Sequence, residues 1–200
     1  DAELIQNVGG TLIYDVELFK NYYFIGFKCH KTKKYLTLES PFNERKLSWI
    51  MHNYRCAGFN NIKFDNPVLW LSYKTQDIAT LQQLANALIN ENMWYQEAQK
   101  TFQFKIYDTN ILDLIEVAPL KGSLKLYMAR LHAPRLQELP FPINVNLTDD
   151  EKKVAKFYNY NDLDGTELLF DFMKERIKLS SAMSSEYNLD LMSKSDAQIA

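Results

Sequence analysis

The chain has 200 residues, 46% of them hydrophobic, which is enough to bury one substantial core, so a single domain spanning residues 1 to 200 is expected. A formal net charge of -2 removes any global attraction to nucleic acid or to an anionic membrane, so a polyanionic partner would have to be held by local basic residues or by metal ions. Cys29 and Cys56, without zinc-type spacing, suit two packed thiols in a reducing compartment rather than a disulfide framework, and no apolar run reaches the ~18 residues that span a bilayer.

Residues 1 to 10, which lack the basic-then-apolar layout of a signal peptide, predict an N-terminal extension. TLIYDVELF (11 to 19), YYFIGFKC (22 to 29) and KYLTLE (core 35 to 39) are β-rich runs separated by polar turns, which predicts a three-stranded antiparallel meander. KLSWIMHN reads as a short helix and AGFNN as a fourth strand that ends in a loop. Asn66 followed by Pro67 suggests an N-cap and a proline at the first helical position, opening a helix over PVLWLSYK. Ile78, Leu81, Leu84, Ala85 and Leu88 form a helical stripe behind a cap at Thr75 or Asp77. In FQFKIYDTN the alternation of Phe102, Phe104 and Ile106 predicts a fifth strand. Ser123 opens the helical LKLYMARLH, LPFPI is an irregular crossing, and Thr148 with Glu151 forms a capping box ahead of one long helix over residues 149 to 178. Ser195 and Gln198 make a similar box at the far end, so residues 181 to 200 are expected to begin a truncated further segment. The pattern is that of an α/β fold with a mixed sheet of about five strands flanked by helices.

Three segments carry acids that their local pattern does not explain. Asp15 and Glu17 lie two apart in an otherwise apolar strand, so both carboxylates project from one face. They require cations, protons or a solvent-filled cleft, unless the strand is an edge with one wet face. Hard divalent metal suits such oxygen ligands. Asp65 ends FNNIKFD at a loop-helix junction, where it could lean over a cleft or simply cap the helix. FYNYNDLDG offers two four-residue pairs on the long helix, Tyr158 with Asp162 and Tyr160 with Asp164. The first is preferred because Gly165 would leave the face beyond Asp162 open; a solvated acidic helix face is the plainer alternative.

Together, DVE (15 to 17), NIKFD (61 to 65) and YNYND (158 to 162) resemble the three motifs of the 3′→5′ proofreading exonuclease domain of phage-type family B DNA polymerases, the DEDDy group of the RNase H-like superfamily. The resemblance covers roughly residues 11 to 180, and it implies an RNase H-like sheet and hydrolysis of phosphodiester bonds at the 3′ end of single-stranded DNA. It further implies two divalent ions, Mg²⁺ or Mn²⁺, held by Asp15, Glu17, Asp65 and Asp162, with Asp15 shared, Glu17 and Asp162 completing one site, and Asp65 supporting the other through water. Tyr158 would aim the attacking water, because a phenol with an ordinary pKa near 10 is a poor base at neutral pH. His30, His52 and His132 are remote in sequence from Asp162, which favours the tyrosine variant of the family.

Asn61 and Phe64 match residues that the family uses near the single-stranded end, although Phe64 could equally be core. Leu18 stands where several relatives have a DNA-touching threonine, so any contact there would be an apolar wedge. Lys125 with Met128 matches a Lys-x-x-apolar pattern that places a lysine near the scissile phosphate. Polymerase palm signatures are absent from these residues, so the expected partners are a DNA 3′ end and a polymerase domain or subunit outside the chain, in the cytoplasm of an infected cell. The alternative is an inactive RNase H-like module kept for nucleic-acid binding or assembly.

Overall fold

Strand β1 (Thr11–Phe19) is apolar on both faces except at Asp15 and Glu17, and the fold is arranged around that exception. The computed structural model describes residues 6–107, 109–119, 122–189, 191, 192 and 194. Strands β2 (Tyr22–Cys29), β3 (Tyr35–Glu39), β4 (Arg55–Gly58) and β5 (Ile111–Asp113) complete a mixed sheet of order β3-β2-β1-β4-β5. The first three strands are antiparallel neighbours, whereas β4 runs parallel to β1 and β5 parallel to β4. β1 is therefore central, and the wet-edge explanation of its acids does not apply.

The even residues Leu12, Tyr14, Val16 and Leu18 enter the largest core cluster, with Tyr23, Ile25 and Phe27 of β2. Helices α1 (Glu44–Asn53), α2 (Asp65–Ser72), α3 (Ile78–Ile89) and α4 (Tyr95–Phe102) contribute to that cluster through Leu47, Val68, Leu81 and Ala98. The odd face meets the long helix α7 (Asp149–Phe172), with α5 (Leu114–Val117), α6 (Leu124–Arg130) and α8 (Lys174–Tyr187) beside it. Here the apolar packing is split: Ile13 belongs to one cluster with Leu163 and Phe170, and Phe19 to another with Phe24 and Ala155. Asp15 and Glu17 lie on the strand between them, which is why the two clusters do not merge.

Two clamps fix α7 over this face. At its start, the Asn21 side chain in the β1–β2 turn accepts from the Leu147 N–H at 2.8 Å and donates to the Leu147 carbonyl at 3.0 Å, just ahead of the Thr148–Glu151 capping box. Further along, Lys28 Nζ lies 2.6 Å from both Asp164 and Glu167, and the Lys28 and Glu167 side chains are each only 9% exposed. Burial opposes the ammonium charge, but the two carboxylates outweigh it and raise the Lys28 pKa.

Several sequence expectations shift. Residues 104–107 are irregular: Phe102 ends α4, Gln103 follows with φ 54°, and the fifth strand forms later, at Ile111–Asp113. Phe104 is buried in the core without a ladder, so alternation there reflected packing alone. The fourth strand starts earlier than expected, at Arg55. Asn66 is not a cap but an interior residue of α2, because its side chain is engaged by the Tyr14 hydroxyl; helix entry is at Phe64, without a side-chain cap. The long helix breaks at Met173, which packs with Ile177 into the cluster holding Phe170. The N-terminal extension, where described, is tied down by Gly9 N–H donating to the Asn53 carbonyl at 2.8 Å; the Ser195–Gln198 pattern lies outside the described residues. Among the described residues no helix is long and apolar enough to cross a membrane.

Candidate functional site

The parallel strands β1, β4 and β5 bring their carboxyl ends to one region, the usual place for a crevice in an open α/β sheet. β1 pairs with β4 from Thr11 to Ile13, and beyond that point the Val16 N–H donates to Asp65 Oδ1 at 2.9 Å. Asp65 thus sits against β1 where β4 leaves it, in the first turn of α2, where the helix N-terminus favours its charge. Its loop is held by Asp113 at the end of β5, whose carboxylate accepts from the N–H groups of Asn60 (2.8 Å), Ile62 (3.1 Å) and Ile115 (3.2 Å). The last of these bonds makes Asp113 the N-cap of α5. Nothing in the local pattern of ILDLI except an aspartate between an apolar run and a helix signalled that role.

On α7 the paired spacings resolve cleanly. Tyr160 stacks on Tyr35 at 4.4 Å between centroids, and Asp164 bonds Lys28 and the Tyr35 hydroxyl, so this pair faces β2 and β3. Tyr158 instead comes under the charge of Asp162, and both are influenced by the β1 acids. The expected open face at Gly165 is instead filled: a Cβ there would lie 2.4 Å from Met128 Sδ. Gly165 therefore serves close packing of α6 on α7. Met128 seated there brings Lys125, one turn earlier, to 5.7 Å from the centroid of the Tyr158 ring, and Lys125 also pairs with Glu138 at 2.8 Å.

Asp15, Glu17 and Asp162 are half-buried, and Asp65 is buried. Burial raises the Asp15 pKa well above the carboxylate range, and Asp65, Glu17 and Asp162 raise it further. Burial, with repulsion from Asp162, pushes Glu17 up to about 8, against the opposing effects of Asn159 and Lys125. Asp65 is pushed up to about 7 by burial, partly countered by its bond from Val16, and Asp162 is also raised, first by burial. Burial followed by the Asp162 charge raises Tyr158, so the phenol stays protonated at neutral pH. Acids from three distant segments thus act on one another across β1, the start of α2 and α7.

Asn159 was not legible from sequence. It is fully buried, and its Nδ2 donates to Asp15 Oδ2 at 2.8 Å. Of the other expected contacts, Leu18 points into the core on the opposite face of β1 from Asp15 and Glu17. Asn61 is fully buried and donates to the Leu112 carbonyl at 3.1 Å, bracing the loop against β5. Phe64 is partly buried and packs on the main core. The histidines lie elsewhere: His30 pairs with Asp171 at 2.7 Å, His52 bonds the Ser48 carbonyl within α1, and His132 follows α6.

The donor set fits a hard divalent cation in kind, since all donors are oxygens, the acids raise one another's pKa values, and Asp162 Oδ1 is buried without a partner. Among the described residues no three His, Cys, Asp or Glu side chains are clustered tightly enough, as placed, to hold an ion together. Compared with known proteins, the chain matches no family model, no curated protein and no solved structure.

Proposed function

We propose that the chain is a metal-dependent 3′→5′ exonuclease acting on the 3′ end of single-stranded DNA, the proofreading part of a phage-type family B polymerase on an RNase H-like sheet. The observation that carries this reading is that the start of α2 and the middle of α7 both close on β1 beside its acids: the Val16 N–H donates to Asp65 Oδ1 at 2.9 Å and Asn159 Nδ2 donates to Asp15 Oδ2 at 2.8 Å. Buried carboxylates that repel one another are costly unless cations or protons compensate them.

Asp15, Glu17, Asp65 and Asp162 would hold two Mg²⁺ or Mn²⁺ ions. When bound, such ions supply Lewis acidity and compensate charge on the scissile phosphate and on the attacking and leaving oxygens. Tyr158 keeps its proton and therefore orients water instead of deprotonating it. Lys125, beside the Tyr158 ring, adds positive charge where the phosphate would enter. Asn61 and Leu18 act from the interior, so stacking on a terminal base falls to Phe64, the partly buried aromatic at the entry to α2.

The test is digestion of 5′-labelled single-stranded DNA in Mg²⁺. Stepwise shortening from the 3′ end with release of mononucleotides is expected, lost in the Asp15→Ala/Glu17→Ala variant. Equal digestion by that variant would overturn the residue assignment, and preferential digestion of RNA would overturn the substrate.

A further inference from the structure

We propose that Asn159 is a positioning residue: its side-chain amide holds Asp15, and with it the neighbouring Glu17, in the orientation that takes a divalent cation. The inference rests on the metal-dependent reading above.

An asparagine in the middle of a 24-residue helix is a poor helix former and needs a tertiary reason. Asn159 has one. It is wholly buried, in a stretch of α7 held between the Asn21–Leu147 clamp and the Lys28–Glu167 pair, and its Nδ2 donates to Asp15 Oδ2 at 2.8 Å. The same amide acts on Glu17, favouring that carboxylate's charged form. Its Oδ1 is buried without a partner, and once Asp15 is ionised, as a cation requires, only the amide N–H can face it without setting two acceptors against each other.

The sheet makes room for it. Gly26 pairs with Asp15 across β1 and β2, and a Cβ at Gly26 would lie 1.8 Å from Asn159 Oδ1. Gly26 is thus the notch that lets the amide descend beside Asp15. A neutral donor suits this position better than a charged one. A lysine here would orient the carboxylate but would also neutralise it and compete with a cation, whereas an amide fixes the oxygen and leaves its charge available.

The experiment is calorimetric titration of the full chain with Mn²⁺, together with thermal unfolding with and without Mn²⁺. Asn159→Leu keeps the bulk but removes the donor; Gly26→Ala leaves every acid and Asn159 chemically intact but closes the notch. Each is expected to weaken Mn²⁺ binding by roughly 10- to 100-fold, the range typical for groups that orient metal ligands, while Tyr160→Phe leaves it unchanged. A merely structural asparagine would lower the unfolding temperature without altering Mn²⁺ affinity or the Mn²⁺-induced rise in that temperature. Unchanged affinity in Asn159→Leu, with binding still abolished by Asp15→Ala, would overturn the positioning role and leave the metal site standing. Should Asn159→Leu fail to fold, Gly26→Ala decides by the same readout. Failure of the native chain to bind Mn²⁺ would overturn both the inference and the reading on which it rests.

Discussion

Met128 fills the notch that Gly165 leaves on α7, and through that contact α6 is seated so that Lys125 lies over the ring of Tyr158. A side chain at position 165 would have to displace Met128, whose Sδ, Cγ and Cε would all lie within 2.7 Å of a new Cβ. Gly165→Val is therefore expected to destabilise the fold by roughly 1 to 3 kcal/mol, as overpacking usually does, measured by urea unfolding. It should also lower the proposed exonuclease activity through Lys125. Native stability in this variant would show that α6 docks elsewhere.

The raised carboxylates of β1 and α2 predict an unusual pH dependence in metal-free protein. Glu17 moves from an ordinary 4.5 to about 8 and Asp65 from 3.8 to about 7, so between those limits the folded chain holds protons that the unfolded chain has released. Their stabilising contribution is complete below the unfolded values and is lost as pH rises through the folded ones. Compared with the native chain, Glu17→Gln should gain stability at about pH 8 and change little near pH 4. Identical unfolding curves for the two proteins at both pH values would remove the case for a strained carboxylate.

Tyr158 and Tyr160 separate a site role from a packing role. Tyr158→Phe should slow cleavage by roughly 100-fold if the hydroxyl aims water, because small misplacements of a reacting group carry penalties of that order. Tyr160→Phe removes only a long 3.3 Å contact to Thr37 and keeps the stack on Tyr35, so it should be near neutral. Single-turnover rates with Mg²⁺ measure both, and the reverse ranking would shift the site to Asp164.

Asp113 supports the loop that carries Asp65, so its replacement should be felt at a distance. Asp113→Ala removes the acceptor of the part-buried N–H groups of Asn60 and Ile62, at a net cost of about 0.5 to 1.5 kcal/mol for each lost bond. Thermal unfolding should show this loss, accompanied by weaker Mn²⁺ binding. A drop in stability with undiminished binding would mean that Val16 alone holds Asp65.

The Lys28–Glu167 pair tests what fastens α7 to the sheet. Lys28→Met leaves the buried Glu167 with only the half-exposed Lys33, 3.0 Å from its Oε1, so it should cost less than the about 3 to 5 kcal/mol of a wholly unpaired buried charge but still be clearly destabilising, whereas the double variant Lys28→Met/Glu167→Leu should recover most of the loss. Denaturant unfolding of the single and double variants distinguishes this from a surface pair, for which both changes would be small.

Taken alone, the sequence determined the features that depend on near neighbours. The period of β1 placed Asp15 and Glu17 on one face, Thr148 and Glu151 marked the start of α7, and the spacing of Tyr158 and Asp162 set them one turn apart. These are consequences of backbone geometry within a few residues. The same locality explains the failures: Phe102, Phe104 and Ile106 alternate as a strand would, but a ladder needs a partner at the right distance, and β4 pairs with Ile111–Asp113 instead.

Only the tertiary structure showed that Tyr160 and Asp164 pack toward β2 and β3 while Tyr158 lies beside Lys125, because their surroundings come from β2, β3 and α6 and not from α7 itself. It likewise decided the roles of Asn159, whose partner Asp15 is 144 residues away, and of Asp113, which holds a loop 53 residues earlier. A buried polar side chain takes its meaning from whichever donor or acceptor the packed elements bring within about 3 Å, and that distance is set by how helices dock on a sheet.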